Sequence, residues 1–230
     1  MARTLYELTG RNDNRFSPYC WRARFALAHK GLNADRIAIG FTEKERIAFS
    51  GQPLVPVLVD GDTTVSDSWK IACYLEERYP DAPSLFGGAV GQSEALFINF
   101  WCDRTVLPSL APAIILDIFQ RVRPEDQPYF RESREKRYSK PLEAICPDPE
   151  AQLSIFRKAL DPARGVISVQ PYLSGEAPGY ADYILAGLLQ WARLVSPQDV
   201  LAAGDPLVAW RDSIFDLFDG MGRKASAAAA

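Results

Sequence analysis

The sequence predicts an α/β unit followed by an all-helical part, and three observations predict it. Strand and helix patterns alternate over residues 1–80, a turn-rich stretch fills 81–90, and the patterns over 91–224 are almost all helical. At 230 residues the chain has material for one large or two modest domains with a sizeable core.

Residues 4–8 read as a strand. Ser17 is a favoured helix N-cap and Pro18 a favoured first residue, so an amphipathic helix is expected over 18–30, with Ala23, Ala26 and Leu27 on one face. The single histidine, His29, stands in its last turn beside the helix dipole, before Gly31 ends it. Residues 35–39 read as a second strand and 42–49 as a short polar helix. Residues 55–59 carry the strongest strand signal, and Asp60-Gly61 turns it into a partner at 63–66. Asp67-Ser68 opens a helix to about residue 79, with Ile71, Tyr74 and Leu75 at helical spacing, and Pro80 stops it. The order is β-α-β-α-β-β-α. Helices are then expected at 92–106, 113–121, 128–138, 150–160, 180–194 and 207–218. A β-like run at 166–169 reads as a loop or extended turn, and the alanine-rich tail at 225–230 as frayed.

Composition narrows the function classes. A net charge of −3, without a Lys/Arg stripe carrying interleaved aromatics, offers nothing to nucleic acid or anionic membrane. No apolar run nears the roughly 20 residues that span a bilayer, and the first residues lack a signal-peptide core. Cys20, Cys73, Cys102 and Cys146 have no paired spacing, so neither a disulfide framework nor a zinc site is indicated. With one histidine, a serine-histidine triad or histidine-based metal site has little to draw on. The expectation is a cytoplasmic, reduced, metal-free protein.

Three features carry chemistry. The helix opening at Ser17 offers a hydroxyl and free N–H groups at its positive end, which can stabilise a thiolate; taken alone, an ordinary cap is the plainer reading. Val55-Pro56 enters the strongest strand. A cis bond there would turn the Val55 backbone outward to pair with an extended peptide, although base rates, about 5–6% cis, favour trans. Asp67-Ser68 sets a carboxylate and a hydroxyl at a second helix start, suited to a small peptide's carboxylate and amine, or again serves as a cap.

Their order, with the segments S-P-Y-C-W-R-A-R-F-A-L-A-H-K-G-L, L-V-P-V-L-V-D, V-S-D-S-W-K-I-A-C-Y-L-E-E-R-Y-P and Y-L-S-G-E-A-P-G-Y-A-D-Y, resembles the glutathione transferases. Within that family S-P-Y-x-W-R, D-S-W, R-P-E-D-Q-P-Y-F-R-E-S-R-E and F-D-L-F-D-G-M-G-R are most similar to bacterial β-etherases, which cleave lignin-type aryl ethers, and to fungal serine-type enzymes. The resemblance implies a thioredoxin-like glutathione-binding domain at 1–80, a linker at 81–90, an all-helical substrate domain at 91–224, and a homodimer. It implies that Ser17 hydrogen-bonds the glutathione sulfur, that Val55, before Pro56, pairs with the cysteinyl backbone, and that Asp67 and Ser68 take the γ-glutamyl end. Gln52, with Lys44, would reach the glycyl carboxylate. Tyr19 and Trp101 are the residues expected at the site of a small aromatic electrophile, within an aromatic stripe that includes Phe97, Phe100 and Arg104. Tyr6 is an alternative thiolate partner, with a strand-face core role favoured. Gly179 stands where the family has a hydroxyl residue, so only the Asp182 half of a capping box remains. Two rivals stand beside this reading: a thiol-disulfide reductase using Cys20, three residues after Ser17, and a non-catalytic glutathione-fold binding protein.

Overall fold

Alternation of apolar residues in the first third builds one four-stranded sheet in the computed structural model, which describes residues 2–226 and 228. Strands β1 (Arg3–Leu8), β2 (Asp35–Ile39), β3 (Val57–Asp60) and β4 (Thr63–Ser66) lie in the order β2-β1-β3-β4. β1 runs parallel to β2 and antiparallel to β3, and β3–β4 is the hairpin turned at Asp60-Gly61. Register sets the two faces apart. Leu5 and Leu58 point into the main core, whereas Ile39 and Val57 form a small second cluster with Ile47, from a 3-10 turn at Lys44–Ser50.

Helices α1 (Pro18–His29) and α2 (Ser68–Arg78) follow the first and fourth strands. The helical part comprises α3 (Ala89–Trp101), a π-helical segment Cys102–Val106, α4 (Leu107–Leu110), α5 (Ile115–Arg121), α6 (Gln127–Tyr138), α7 (Pro149–Ala159), α8 (Asp161–Ile167), α9 (Tyr180–Val195) and α10 (Pro206–Lys224). The 166–169 run is thus no extended turn: its first residues close α8, a helix that follows α7 after only Leu160. The helix expected at 92–106 continues into α4 through the π-helical segment, and α10 kinks at Leu217–Gly220. Of the tail at 225–230, residues 227, 229 and 230 lie outside the described residues. The described part is tied to α9, since Arg193 donates to the Ala225 carbonyl (2.9 Å) and Ala228 N–H donates to the Arg193 carbonyl (3.1 Å).

α1 is not an amphipathic surface helix. It is buried on nearly every side between α2 and α9, and Arg22 and Arg24 are buried with it. Each has partners that make burial tolerable. Arg24 pairs with the fully buried Glu7 of β1, while Arg22 bonds Asp103 (2.7 Å), Asn99 (3.1 Å) and the Ile184 carbonyl (3.3 Å). The α1–α9 crossing is close because Gly187 has no side chain: a Cβ there would lie 2.7 Å from the Pro18 carbonyl. His29 closes the far end, its ring nitrogens 2.7 Å from Tyr183 Oη and 2.9 Å from the Ser84 carbonyl. Across the molecule, buried Asp126 accepts from Thr42 N–H (2.9 Å), Thr42 Oγ1 (2.6 Å) and Arg123 Nε (2.8 Å), fastening the loop before Lys44 to the helical part.

Candidate active site

The N-termini of α1 and α2 open into one cavity of about 610 Å³. Ser17, Pro18 and Tyr19 line it from α1, Asp67 and Ser68 from α2, and Gln52, Val55 and Pro56 from the loop into β3. Lys44 stands beside them, and Leu107, Ile115, Tyr129, Phe130 and Trp191 complete the wall from the helical part.

Ser17 caps α1 by accepting from Cys20 N–H at 3.3 Å and is only 5% exposed. The Val55-Pro56 bond is cis, and the Pro56 carbonyl accepts from Asp67 N–H at 3.2 Å, which ties the strand entrance to the start of α2. Asp67 caps α2 by accepting from Trp69 N–H (3.0 Å) and Lys70 N–H (3.1 Å). Its φ of +80° is one that side chains other than glycine rarely adopt. Buried Ser68 is held from the helical part, where Tyr180 Oη donates to its carbonyl at 2.7 Å. Tyr180 itself sits among Trp69 and Phe86, with ring centroids 5.8 and 5.5 Å away.

The start of α9 explains the missing hydroxyl residue. A side chain at Gly179 would lie 2.7 Å from Ser174 Oγ and 3.0 Å from the Leu85 carbonyl. The surviving half of the box is strengthened instead. Fully buried Asp182 accepts from Gly179 N–H (3.0 Å), Leu173 N–H (2.7 Å), Ser174 N–H (3.1 Å) and Trp210 Nε1 (3.0 Å).

Other expected site residues fall unevenly. Gln52 lines the cavity but bonds its amide to the backbone of Leu54. Lys44 donates to Tyr129 Oη at 2.9 Å. Tyr19 lies over the buried Arg22 guanidinium, 4.8 Å from ring centroid to carbon, and burial together with Asp103 pushes its hydroxyl up to about 12. Tyr6 packs on the small cluster whose Ile39 and Ile47 line the cavity, edge-on to Phe49, but is not itself among the lining residues. Cys20 is 1% exposed, and burial, with the Glu7 carboxylate behind it, pushes its thiol up to about 12. A thiol so held is protonated at neutral pH and sealed from solvent, which argues against disulfide chemistry at this position.

Trp101 does not line the cavity. It is half-buried against the core, and its neighbours Phe97 and Phe100 face outward, 71% and 46% exposed. The π-helical segment adds a residue to the helical repeat here, and it is Asp103 within it and Leu107 after it that reach the cavity. The aromatic wall comes instead from Tyr129, Phe130 and Tyr138 of α6 and Trp191 of α9, joined by Arg134 and Arg137. Phe130, Arg134 and Tyr138 recur at intervals of four, the helical signal that marks this face.

Comparison with known proteins agrees with this architecture. Sequence profiles described as glutathione S-transferase, N-terminal domain and C-terminal domain match residues 16–78 and 94–213. A glutathione S-transferase-like protein of Aspergillus flavus is 30% identical over 140 residues, which is 55% of this chain and 49% of that protein. A zeta-class glutathione S-transferase of Euphorbia esula is 31% identical over 116 residues, 46% of this chain and 50% of that one. The chain therefore spans about half the length of these curated relatives. A glutathione transferase from Phanerochaete chrysosporium superposes with a TM-score of 0.77 at 22% identity, covering 96% of this chain and 92% of its own. A Ceriporiopsis subvermispora glutathione S-transferase solved in complex with glutathione gives 0.77 at 22% identity over 98% and 95%. With both profiles falling in order on the sheet-bearing and helical parts, this chain belongs to the glutathione S-transferase family.

Proposed function

We propose that the protein is a glutathione transferase that uses Ser17 to stabilise the glutathione thiolate and directs it at an aromatic electrophile, with β-aryl ether cleavage as the favoured reaction. The observation that carries this reading is the convergence, in one cavity, of the Ser17 hydroxyl at the start of α1, the backbone at Val55-Pro56 and the Asp67-Ser68 start of α2. An extended γ-glutamyl peptide has its cysteinyl part between an end bearing an amine and a carboxylate and an end bearing a carboxylate alone, and these groups offer partners in that order. Asp67 would take the amine, Ser68, through its hydroxyl and N–H, the γ-glutamyl carboxylate, and Val55 the cysteinyl amide. Lys44 and Gln52 would take the glycyl end.

The chemistry follows from the cap. Ser17 Oγ already accepts from Cys20 N–H, so the role remaining to its O–H is donation to sulfur. A donor and a helix N-terminus together lower a thiol from about 8.5 into a range where thiolate dominates at neutral pH. The thiolate attacks the carbon bearing an aryloxy group next to a ketone. The C–S bond forms as the C–O bond breaks, the electron pair leaves on the phenoxide, and water supplies its proton. Phenoxides leave readily, so no further general base is required. A homodimer belongs to the same proposal, supported by Val90, Phe97 and Phe100 lying exposed on α3.

The test is phenol release from an α-aryloxy aryl ketone with and without glutathione, following the thioether by mass spectrometry. One thioether per phenol, only with glutathione, is the expected result. Glutathione binding without release from such ketones would remove ether cleavage and leave a broader electrophile screen.

A further inference from the structure

The α6 wall of the cavity carries two positive charges that the proposed reaction does not use. Arg134 is half-buried there, its guanidinium 4.3 Å from the Phe130 ring centroid and 5.8 Å from that of Phe41. Its side-chain hydrogen bond is to Ser133 Oγ at 2.9 Å, and its charged and titratable neighbours are Arg137, Tyr129 and Tyr138. Among the described residues no carboxylate lies within 4 Å of Arg134 or Arg137, although both line the cavity. Several arginines of the helical part are paired with acids, Arg131 with Glu135 and Glu143, Arg157 with Glu150, Arg164 with Asp161 and Asp205 and Arg211 with Asp199, whereas Arg104 lies over the Phe100 ring and Arg193 donates to backbone carbonyls. What sets Arg134 and Arg137 apart is that both stand on α6 and line the cavity, which Arg104 and Arg193 do not.

The cavity's own carboxylates lie elsewhere and are engaged. Asp103 is held by Arg22, and Asp67 caps α2. Burial, reinforced by the Arg137 charge, pushes the Arg134 guanidinium down to about 10, so it is cationic at neutral pH yet held there at a cost that an anion would relieve. A guanidinium fork suits a carboxylate, and the rings of Tyr129, Phe130 and Tyr138 flank the position with surface fit for an arene.

We propose that Arg134 and Arg137 form a carboxylate subsite for the electrophile, making the preferred acceptor an aromatic acid rather than a neutral arene. This rests on the glutathione reading for the other half of the cavity. A carboxylate could also come from the glycyl end of glutathione, and the experiment separates the two sources.

Equilibrium binding of 1-naphthoate and its uncharged isostere 1-naphthamide is measured by calorimetry, with and without saturating glutathione. The acid is expected to bind roughly tenfold more tightly, the effect of one charge-assisted hydrogen bond. That preference should persist in glutathione and collapse in Arg134→Gln and in Arg137→Gln. The exposed Arg137 keeps the test valid if the Arg134 variant does not fold. Equal affinity for acid and amide, a preference intact in Arg137→Gln, or competition between naphthoate and glutathione would each overturn the subsite. Conjugation of glutathione to 4-chloro-3-nitrobenzoate, in which thiolate attack forms C–S and expels chloride, is followed in parallel. A naphthoate preference without conjugation would support the subsite while counting against 4-chloro-3-nitrobenzoate as an acceptor, and leave the transferase reading to the aryl-ether assay.

Discussion

Ser17 carries two loads that can be separated by measurement. As a cap it satisfies Cys20 N–H, and as a hydroxyl it is proposed to donate to sulfur. Ser17→Ala should cost about 1 kcal/mol of stability through the cap, and should reduce turnover about ten- to a hundredfold through loss of a charge-assisted hydrogen bond. Urea unfolding reads the first and kcat/KM the second; a loss of activity no larger than the stability change would assign Ser17 to folding alone. His29 makes a second residue-scale prediction. Burial lowers its pKa from the ordinary value, so the unfolded chain takes up the proton more readily than the folded one. Stability present above about pH 6.5 should therefore be lost as pH falls from there through the folded midpoint. Because the chain has one histidine, its ring resonance in a proton NMR titration reports this directly, and a midpoint above the model-peptide value would contradict it.

Between elements, the site depends on how closely α9 approaches α1. Gly187→Ala places a methyl 2.7 Å from the Pro18 carbonyl and 3.1 Å from Arg22 Cγ, and must push the two helices apart. The expected cost is about 1–3 kcal/mol, accompanied by weaker glutathione binding, because Pro18 begins the helix that Ser17 caps. Undiminished affinity would mean that the α1 terminus is positioned by the sheet alone. Asp182→Ala should cost more, on the order of 3 kcal/mol, since four donors, two of them buried, lose one acceptor; chemical denaturation checks the size. Caps and breakers are local signals, which is why both helix starts at the cavity, Ser17-Pro18 and Asp67-Ser68, can be read from the chain. The wall opposite is not local. The spacing of Phe130, Arg134 and Tyr138 marks a face of α6, but not that this face looks across the cavity, because that depends on α5–α6 packing and on the Asp126–Thr42 clamp. Trp101 failed for the same reason: helical spacing reads as one continuous stripe, whereas the π-helical segment after it changes which residues reach the cavity.

The whole molecule is stitched by contacts between its sheet-bearing and helical parts: α1 against α9, Tyr180 to Ser68, His29 to Tyr183 and Asp126 to Thr42. The two parts should therefore unfold together, with coincident urea transitions by far-ultraviolet circular dichroism and by tryptophan fluorescence; separate midpoints would show that they are only loosely coupled. The order of strands and helices could be read from periodicity, but this stitching could not, since it joins residues more than 80 positions apart.

The most direct test is a difference-absorbance titration of glutathione bound to the native protein and to Ser17→Ala. The account predicts a thiolate band that appears well below the free thiol value of about 8.5 in the native protein and shifts back toward it in the variant. A band that titrates near the free value in both, or stays low without Ser17, would contradict the proposal that this hydroxyl activates the thiol.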